Sequence, residues 1–225
     1  MKHLKILMST LLMLALTVSL QSCLKDDGDD YSIIYPNALV TLKTNSGDGA
    51  FYLQLDDSTT LLPTNMKASP YGNKEVRALI NFRYADAQSG SYSKAAYVNW
   101  IDTVRTKKMA QDLGGDNKTT YGNDPLEVVN DWTTVVEDGY LTLRFRTYFD
   151  LFTIHSLNLV KGDNPYEVVL YHDAKGDVNS EVGDGLIAFR LDQLPDTEGK
   201  TVDLTLKWQS FSGEKSIKFK YCTRK

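Results

Sequence analysis

The sequence predicts an all-β protein with two domains, a small barrel followed by a sandwich. Three observations carry that expectation. Apolar residues alternate with polar ones through most of the chain, which is the period of a pleated strand. The alternating runs are short and bounded by Gly, Pro, Asn and Asp, the residues of turns. Beyond residue 30, no stretch holds a 3.6-residue period for longer than a turn or two.

The first segment is of another kind. Lys2, His3 and Lys5 precede ILMSTLLMLALTVSL, an uncharged run from Ile6 to Leu20. About twenty apolar residues are needed to span a bilayer as a helix, so this run reads as an export signal. Leu20-Gln21-Ser22-Cys23 resembles the bacterial lipobox. That resemblance implies a signal peptide over 1–22, removed by cleavage, and a diacylglycerol and acyl lipid on Cys23 as the only covalent cofactor. Lys25, Asp26 and Asp27 open an acidic tether, 23–36, too charged to fold by itself. They resemble the acidic signal that Bacteroidetes place after the acylated cysteine of surface lipoproteins. The expected location is the outer membrane, lipid-anchored and exposed on the cell surface.

The barrel follows. ALVTLKT sets Ala38, Val40 and Leu42 on one face, NSGDG turns, and AFYLQLDD completes a hairpin. STTLLPTN is a short strand. After Pro63 and Pro70 come KEVRALINFRYADA and AAYVNWIDTVRTKKM, both rich in Val, Ile, Tyr and Trp. Five short strands over 37–110 suit an OB-like five-stranded barrel. The polar, glycine-broken segment ending at Pro125 is the expected linker, 111–124.

Over 125–225 the alternation is more regular. WTTVVEDGYLTLRFRTYF reads as two strands joined at Asp138-Gly139. It sets Leu141, Leu143, Phe145 and Phe149 against Thr142, Arg144, Arg146 and Tyr148. IHSLNLV, YEVVLYHD, GLIAFRLDQL, TVDLTLKW and KSIKFKY complete seven strands at sandwich spacing. The fold expected here is an Ig-like antiparallel β-sandwich.

Charge and cysteines narrow the function. Loss of Lys2 and Lys5 with the leader leaves a net charge of about −6. That disfavours nucleic acid, whose affinity comes from Lys and Arg on phosphates. With Cys23 acylated, Cys222 has no partner for a disulfide, and strand alternation turns it away from Ile217, Phe219 and Tyr221. A monomer is expected.

The lipobox and acid run, the barrel pattern, and YEVVLYHDAKGD, GLIAFRLDQL and VDLTLKWQSFSGEKSIKFKY together resemble the NigD-like lipoproteins. The resemblance covers essentially the whole chain. It implies an OB-like domain before a sandwich. Its founding member was proposed to be a bacteriocin immunity protein, so it also implies a protein or peptide partner. It carries no functional residues across.

No catalytic residue is assigned and no enzyme is expected. The chain has no zinc-protease helix pattern, no G-x-S-x-G elbow and no phosphate-binding glycine motif. His155 and His172 read as strand-surface or strand-end residues, since the neighbours Ser156 and Asp173 point to opposite faces. The segment 172–185 reads as a long hairpin loop. Its Asp173, Asp177 and Asn179 are calcium candidates by chemistry, without EF-hand spacing. Tyr71, Tyr92, Tyr97 and Tyr121 lie in or beside loops and are candidate ligand-binding residues. Exposed, they would stack on sugar rings, which makes a glycan-binding module the alternative function. Otherwise they cap sheet edges, with Trp100 and Trp132 in the core.

Overall fold

A computed structural model of the chain describes residues 31–45 and 50–224. The leader, Cys23 and the acidic residues Lys25, Asp26 and Asp27 lie outside the described residues. Among the described residues no helix is long and apolar enough to cross a membrane.

The chain is all-β. Strands β1 (Ala38–Thr44), β2 (Phe51–Gln54), β3 (Thr60–Pro63), β4 (Val76–Tyr84) and β5 (Lys94–Thr103) close a barrel in the order β1-β2-β3-β5-β4. The expected first hairpin is present, with Thr41 opposite Gln54 and Thr44 opposite Phe51. Val40, Leu42, Leu53, Leu61, Ile80 and Val98 fill the barrel. Each such fully buried side chain contributes roughly 1.5–3 kcal/mol.

AAYVNWIDTVRTKKM does not end in the barrel. Val104 leaves β5 by donating its N–H to the Arg77 carbonyl at 2.8 Å. Thr106–Lys108, strand β6, then pairs in parallel with the second domain.

That domain continues with β7 (Glu127–Val129), β8 (Val135–Glu137), β9 (Tyr140–Phe149), β10 (Ser156–Lys161), β11 (Glu167–Asp173), β12 (Glu181–Arg190), β13 (Val202–Ser210) and β14 (Gly213–Tyr221). One sheet runs β10-β11-β13-β14 and the other β6-β12-β9-β7, with β8 also on β9. Leu141, Leu143 and Phe145 point inward, as their alternation predicts, and meet Leu159, Leu170, Ile187, Leu206 and Trp208. The β8–β9 turn is made by Asp138 and Gly139, both at positive φ (50° and 74°), which suits a tight hairpin of right-handed twist.

The segment expected as a linker is folded. It carries a 3-10 turn, Gly114–Asp116, and a short helix α1, Asn117–Tyr121. Buried Asn117 organises it, accepting from the Leu113 N–H at 2.9 Å and donating to Asp112 at 2.8 Å. Residues 172–185 are also not one loop. From Glu181 the chain is already β12, with Glu181 opposite Phe149.

The two domains share a buried seam. Leu39 and Leu79 of the barrel meet Tyr140, Ala188 and Leu186 of the sandwich around Val104. This explains why β1 is buried on both faces although its sequence alternates. Arg77, 1% exposed, crosses the seam. It donates to Thr41 Oγ1 at 3.1 Å within the barrel and to Glu137 at 3.0 Å across it. Lys43 pairs with Asp138 at 2.5 Å, and the Asp138 N–H donates to Asp57 at 2.7 Å. Burial raises the Glu137 carboxyl pKa, against the pull of Arg77.

Candidate functional site at the tip of the sandwich

The end of β9 and β12 away from the barrel carries the densest grouping of unusual side chains. Gly183 and Gly185 of β12 open it. A Cβ on Gly185 would lie 2.4 Å from the Phe145 ring, and one on Gly183 would lie 3.0 Å from the Phe149 ring. At Gly185 only a bare α-carbon leaves room for the ring, and at Gly183 a methyl would push Phe149 aside by a few tenths of an ångström. Phe149 in turn stacks on His155, with ring centroids 5.2 Å apart and planes 23° apart.

His155 is the centre of a buried chain of polar groups. Its Nδ1 lies 2.9 Å from His172 Nε2, and its Nε2 lies 3.1 Å from Asp177 Oδ2. His172 Nδ1 lies 3.2 Å from the Asp124 carbonyl. Proton positions follow from this network. A carbonyl can only accept, so His172 carries its hydrogen on Nδ1. Burial, and then the charge of His155, hold the His172 pKa below its ordinary value, so its Nε2 is a bare acceptor. His155 Nδ1 must therefore donate. Asp177 accepts from Ser180 and from the Asp150 N–H, and these bonds help hold its carboxyl below the usual range, so it is ionised. His155 thus bridges the His172 ring on one side and the Asp177 carboxylate on the other.

Both histidines stand at strand ends, as expected, but neither lies on the surface. His172 is 2% exposed and the His155 side chain 3%. Register brings them together. Leu157 stands opposite His172, so the chain just before β10 folds back over the ring of β11. Counting outward from the Gly162–Pro165 turn reveals this, whereas inspecting sequence neighbours alone does not.

Above this chain the loop 150–154 is exposed. Leu151 is 95%, Phe152 91% and Ile154 78% exposed. The loop is nevertheless held. Asp150 accepts the N–H groups of Phe152 and Thr153 at 2.6 Å each and the Thr153 hydroxyl at 2.7 Å, bonds that lower its pKa. Its own N–H donates to Asp177 at 2.8 Å. Val178, Val182 and Phe211 are further exposed apolar groups, and Phe211 packs edge-on against Tyr148 at 5.5 Å.

Beside the loop, a cleft of about 300 Å3 opens between the edge strands β6 and β10. Phe145, Phe149, Ile154, Leu157 and Ile187 line its apolar part, and Arg105 and Lys107 its rim. Lys107 donates to the Leu157 carbonyl at 2.5 Å and to Asn158 at 2.8 Å.

The other candidates are dispersed. Asp173 pairs with Lys175, Asp177 is engaged with His155 and Ser180, and Asn179 is exposed on the 174–180 loop. Among the described residues no three His, Cys, Asp or Glu side chains are grouped to hold a metal ion. Tyr71 packs on the barrel core, Tyr92 lies against Tyr52 at 5.1 Å, and Tyr121 lies against Tyr171 at 6.2 Å. Tyr97 faces outward from β5 under the Arg83 guanidinium at 4.5 Å. Trp132 is 52% exposed at the β7–β8 turn rather than in the core. Cys222 is a free thiol, half-buried, accepting from the Thr197 hydroxyl at 3.6 Å.

Fold and site together define a two-domain β protein, a five-stranded barrel joined to a sandwich that carries an apolar tip. The chain belongs to the NigD-like family. Residues 39–104 match the NigD-like N-terminal OB domain, and residues 107–221 match the NigD-like C-terminal beta sandwich domain. It is similar to a crystal structure from Parabacteroides distasonis ATCC 8503, provisionally described as a toxin related protein. That chain is 34% identical, with a TM-score of 0.68 over 82% of this chain and 92% of that one. A Bacteroides vulgatus ATCC 8482 protein of unknown function is 23% identical, with a TM-score of 0.66 over 83% and 90% of the two chains. A NigD-like immunity protein from Bacteroides caccae ATCC 43185 is 20% identical, with a TM-score of 0.57 over 82% and 96%. These last two share the fold. No curated protein matches the chain.

Proposed function

We propose that this protein is a lipid-anchored binding protein of the outer membrane surface, held at Cys23, that presents the sandwich tip to a protein or peptide partner. Its role is immunity against a secreted antibacterial protein or peptide. One observation carries the reading. Leu151, Phe152 and Ile154 are turned into solvent while Asp150 and Asp177 fix their backbone. Exposing such side chains forgoes burial worth roughly 1.5–3 kcal/mol apiece. Holding them in place lowers the ordering cost of binding. The family, and the immunity role named for the Bacteroides caccae protein, support the same reading. The tyrosine rings considered for sugar stacking are largely engaged in packing, which favours the apolar tip as the recognition surface.

The test is a challenge of cells lacking the gene with antibacterial proteins secreted by neighbouring strains. Deletion should raise sensitivity to at least one of them, and the wild-type gene should restore resistance. A Leu151→Ser/Phe152→Ser variant displayed at the same level should not. Unchanged sensitivity after deletion, or full rescue by that variant, would refute the proposal.

A further inference from the structure

The bare edge of β12 and the cationic cleft at its end point to a single ligand. Strand β6 pairs only with Ala188–Arg190, so over 181–187 the outer edge of β12 has no strand neighbour among the described residues. The Ala188 N–H donates to the Arg105 carbonyl at 2.9 Å. By the two-residue period of a strand, Leu186, Asp184 and Val182 turn their backbone groups the same way, outward from β9. This stretch has neither the proline nor the lysine that commonly blocks an exposed edge. It spans about 16 Å, room for an added strand of roughly five residues.

The edge ends at Arg105 and Lys107. The chain as a whole is acidic, yet the cleft is lined by no carboxylate, and neither cation has an acidic partner among the described residues. Behind them lies the apolar opening between the two sheets. A strand laid along β12 in line with β6 runs parallel to β12 and ends at Arg105 with its C-terminus. The opposite orientation would bring an ammonium group to the two cations. Charge therefore chooses the direction.

We infer that the sandwich captures the C-terminal segment of an extended peptide, which adds as a strand beside Val182–Leu186 and lodges its last apolar side chain and its carboxylate in the cleft at Arg105 and Lys107. Strand addition and carboxylate capture are both established modes of peptide recognition. The inference rests on the reading that the partner is a protein or peptide, and it names which part of that partner is held. Burial and the charge of Arg105 hold Lys107 below its ordinary pKa, a tension that an arriving carboxylate would relieve.

The experiment titrates the purified protein into a fluorescent pool of random octapeptides ending in Leu or Phe, as free acids and as C-terminal amides. Free acids should bind, and amidation should weaken binding at least tenfold. Arg105→Gln, at an exposed side chain, should do the same, and so should Lys107→Met. The Arg105 variant keeps the test open if the Lys107 variant fails to fold. Amide exchange at Val182, Asp184 and Leu186 should slow on binding. The inference is overturned if free acids do not bind at millimolar concentration, if acids and amides bind equally, or if those three amides stay unprotected. It is also overturned if decanoate binds as tightly as the best peptide without protecting the edge, since the cleft is then a site for small amphiphilic acids. Any of these failures, alongside a tip variant that still abolishes immunity, removes this inference and leaves the proposed function standing.

Discussion

Arg77 of the barrel donates to Glu137 of the sandwich at 3.0 Å, within a seam where the arginine side chain is fully buried. Burial lowers the Arg77 pKa and raises that of Glu137, so each is costly without the other. Arg77→Met removes the cation and leaves Glu137 and the Thr41 hydroxyl without their donor. A loss of about 3–5 kcal/mol is expected in urea unfolding. Arg77→Met with Glu137→Gln should lose less than the single change, because no uncompensated charge remains. Equal losses would show that the pair is not coupled.

Gly185→Ala puts a methyl 2.4 Å from Phe145 Cζ, inside a packed core. About 1–3 kcal/mol of destabilisation is expected from overpacking. Adding Phe145→Leu should restore part of it. If Gly185→Ala unfolds at the wild-type denaturant concentration, the Phe145 ring does not sit this close to the Gly185 α-carbon.

Acid should destabilise the protein in two stages. The His172 pKa is depressed by burial, so in the native state the ring resists a proton that the unfolded chain accepts near pH 6.5. Its contribution is complete above that value and is lost as pH falls toward the native pKa. The carboxylates follow. Asp184, held to about 2 chiefly by Arg146 and Arg144, and Asp177, held down chiefly by Ser180, contribute above about pH 3.9 and lose that contribution as pH falls below it. His172→Gln should flatten the first stage and spare the second. Thermal melts from pH 8 to pH 3 would show whether the stages separate.

Leu151→Ser and Phe152→Ser should each leave the unfolding midpoint within about 0.5 kcal/mol of wild type, because the native side chains touch mainly solvent. A larger change would show that the loop contributes to the core.

Cys23→Ala should move the protein from the membrane fraction to the soluble fraction and abolish labelling by radioactive palmitate. Each acyl methylene contributes about 0.8 kcal/mol to membrane attachment, so no weaker contact could substitute. Retention of the variant on membranes would refute lipid anchoring.

Most of the architecture is legible in local patterns. The alternation in β9 assigns Leu141, Leu143 and Phe145 to the core and Arg144 and Arg146 to the surface, as found. Local patterns fail where long-range pairing decides. Nothing in Thr106–Lys108 announces that these residues cross to the second sheet, because their partner lies some eighty residues on. Gly183 and Gly185 suggest a loop by composition, yet they are strand residues whose missing side chains admit two phenylalanine rings. Asn117 lies in a polar, glycine-rich segment and becomes buried by bonding its own neighbours. His155 and His172 meet through hairpin register, a relation visible only by counting back from the turn.

Strand β5 ends at Thr103 and β6 begins at Thr106, so the passage from one domain to the other takes only Val104 and Arg105. So short a passage leaves little room for a hinge, and each half, cut free, is expected to lose solubility. A barrel cut free would bare Leu39, Leu79 and the Arg77 guanidinium together, and it would clump rather than fold. The protein therefore has to be handled, truncated and engineered as one piece from Pro36 onward, with change confined to the loops at its outer end.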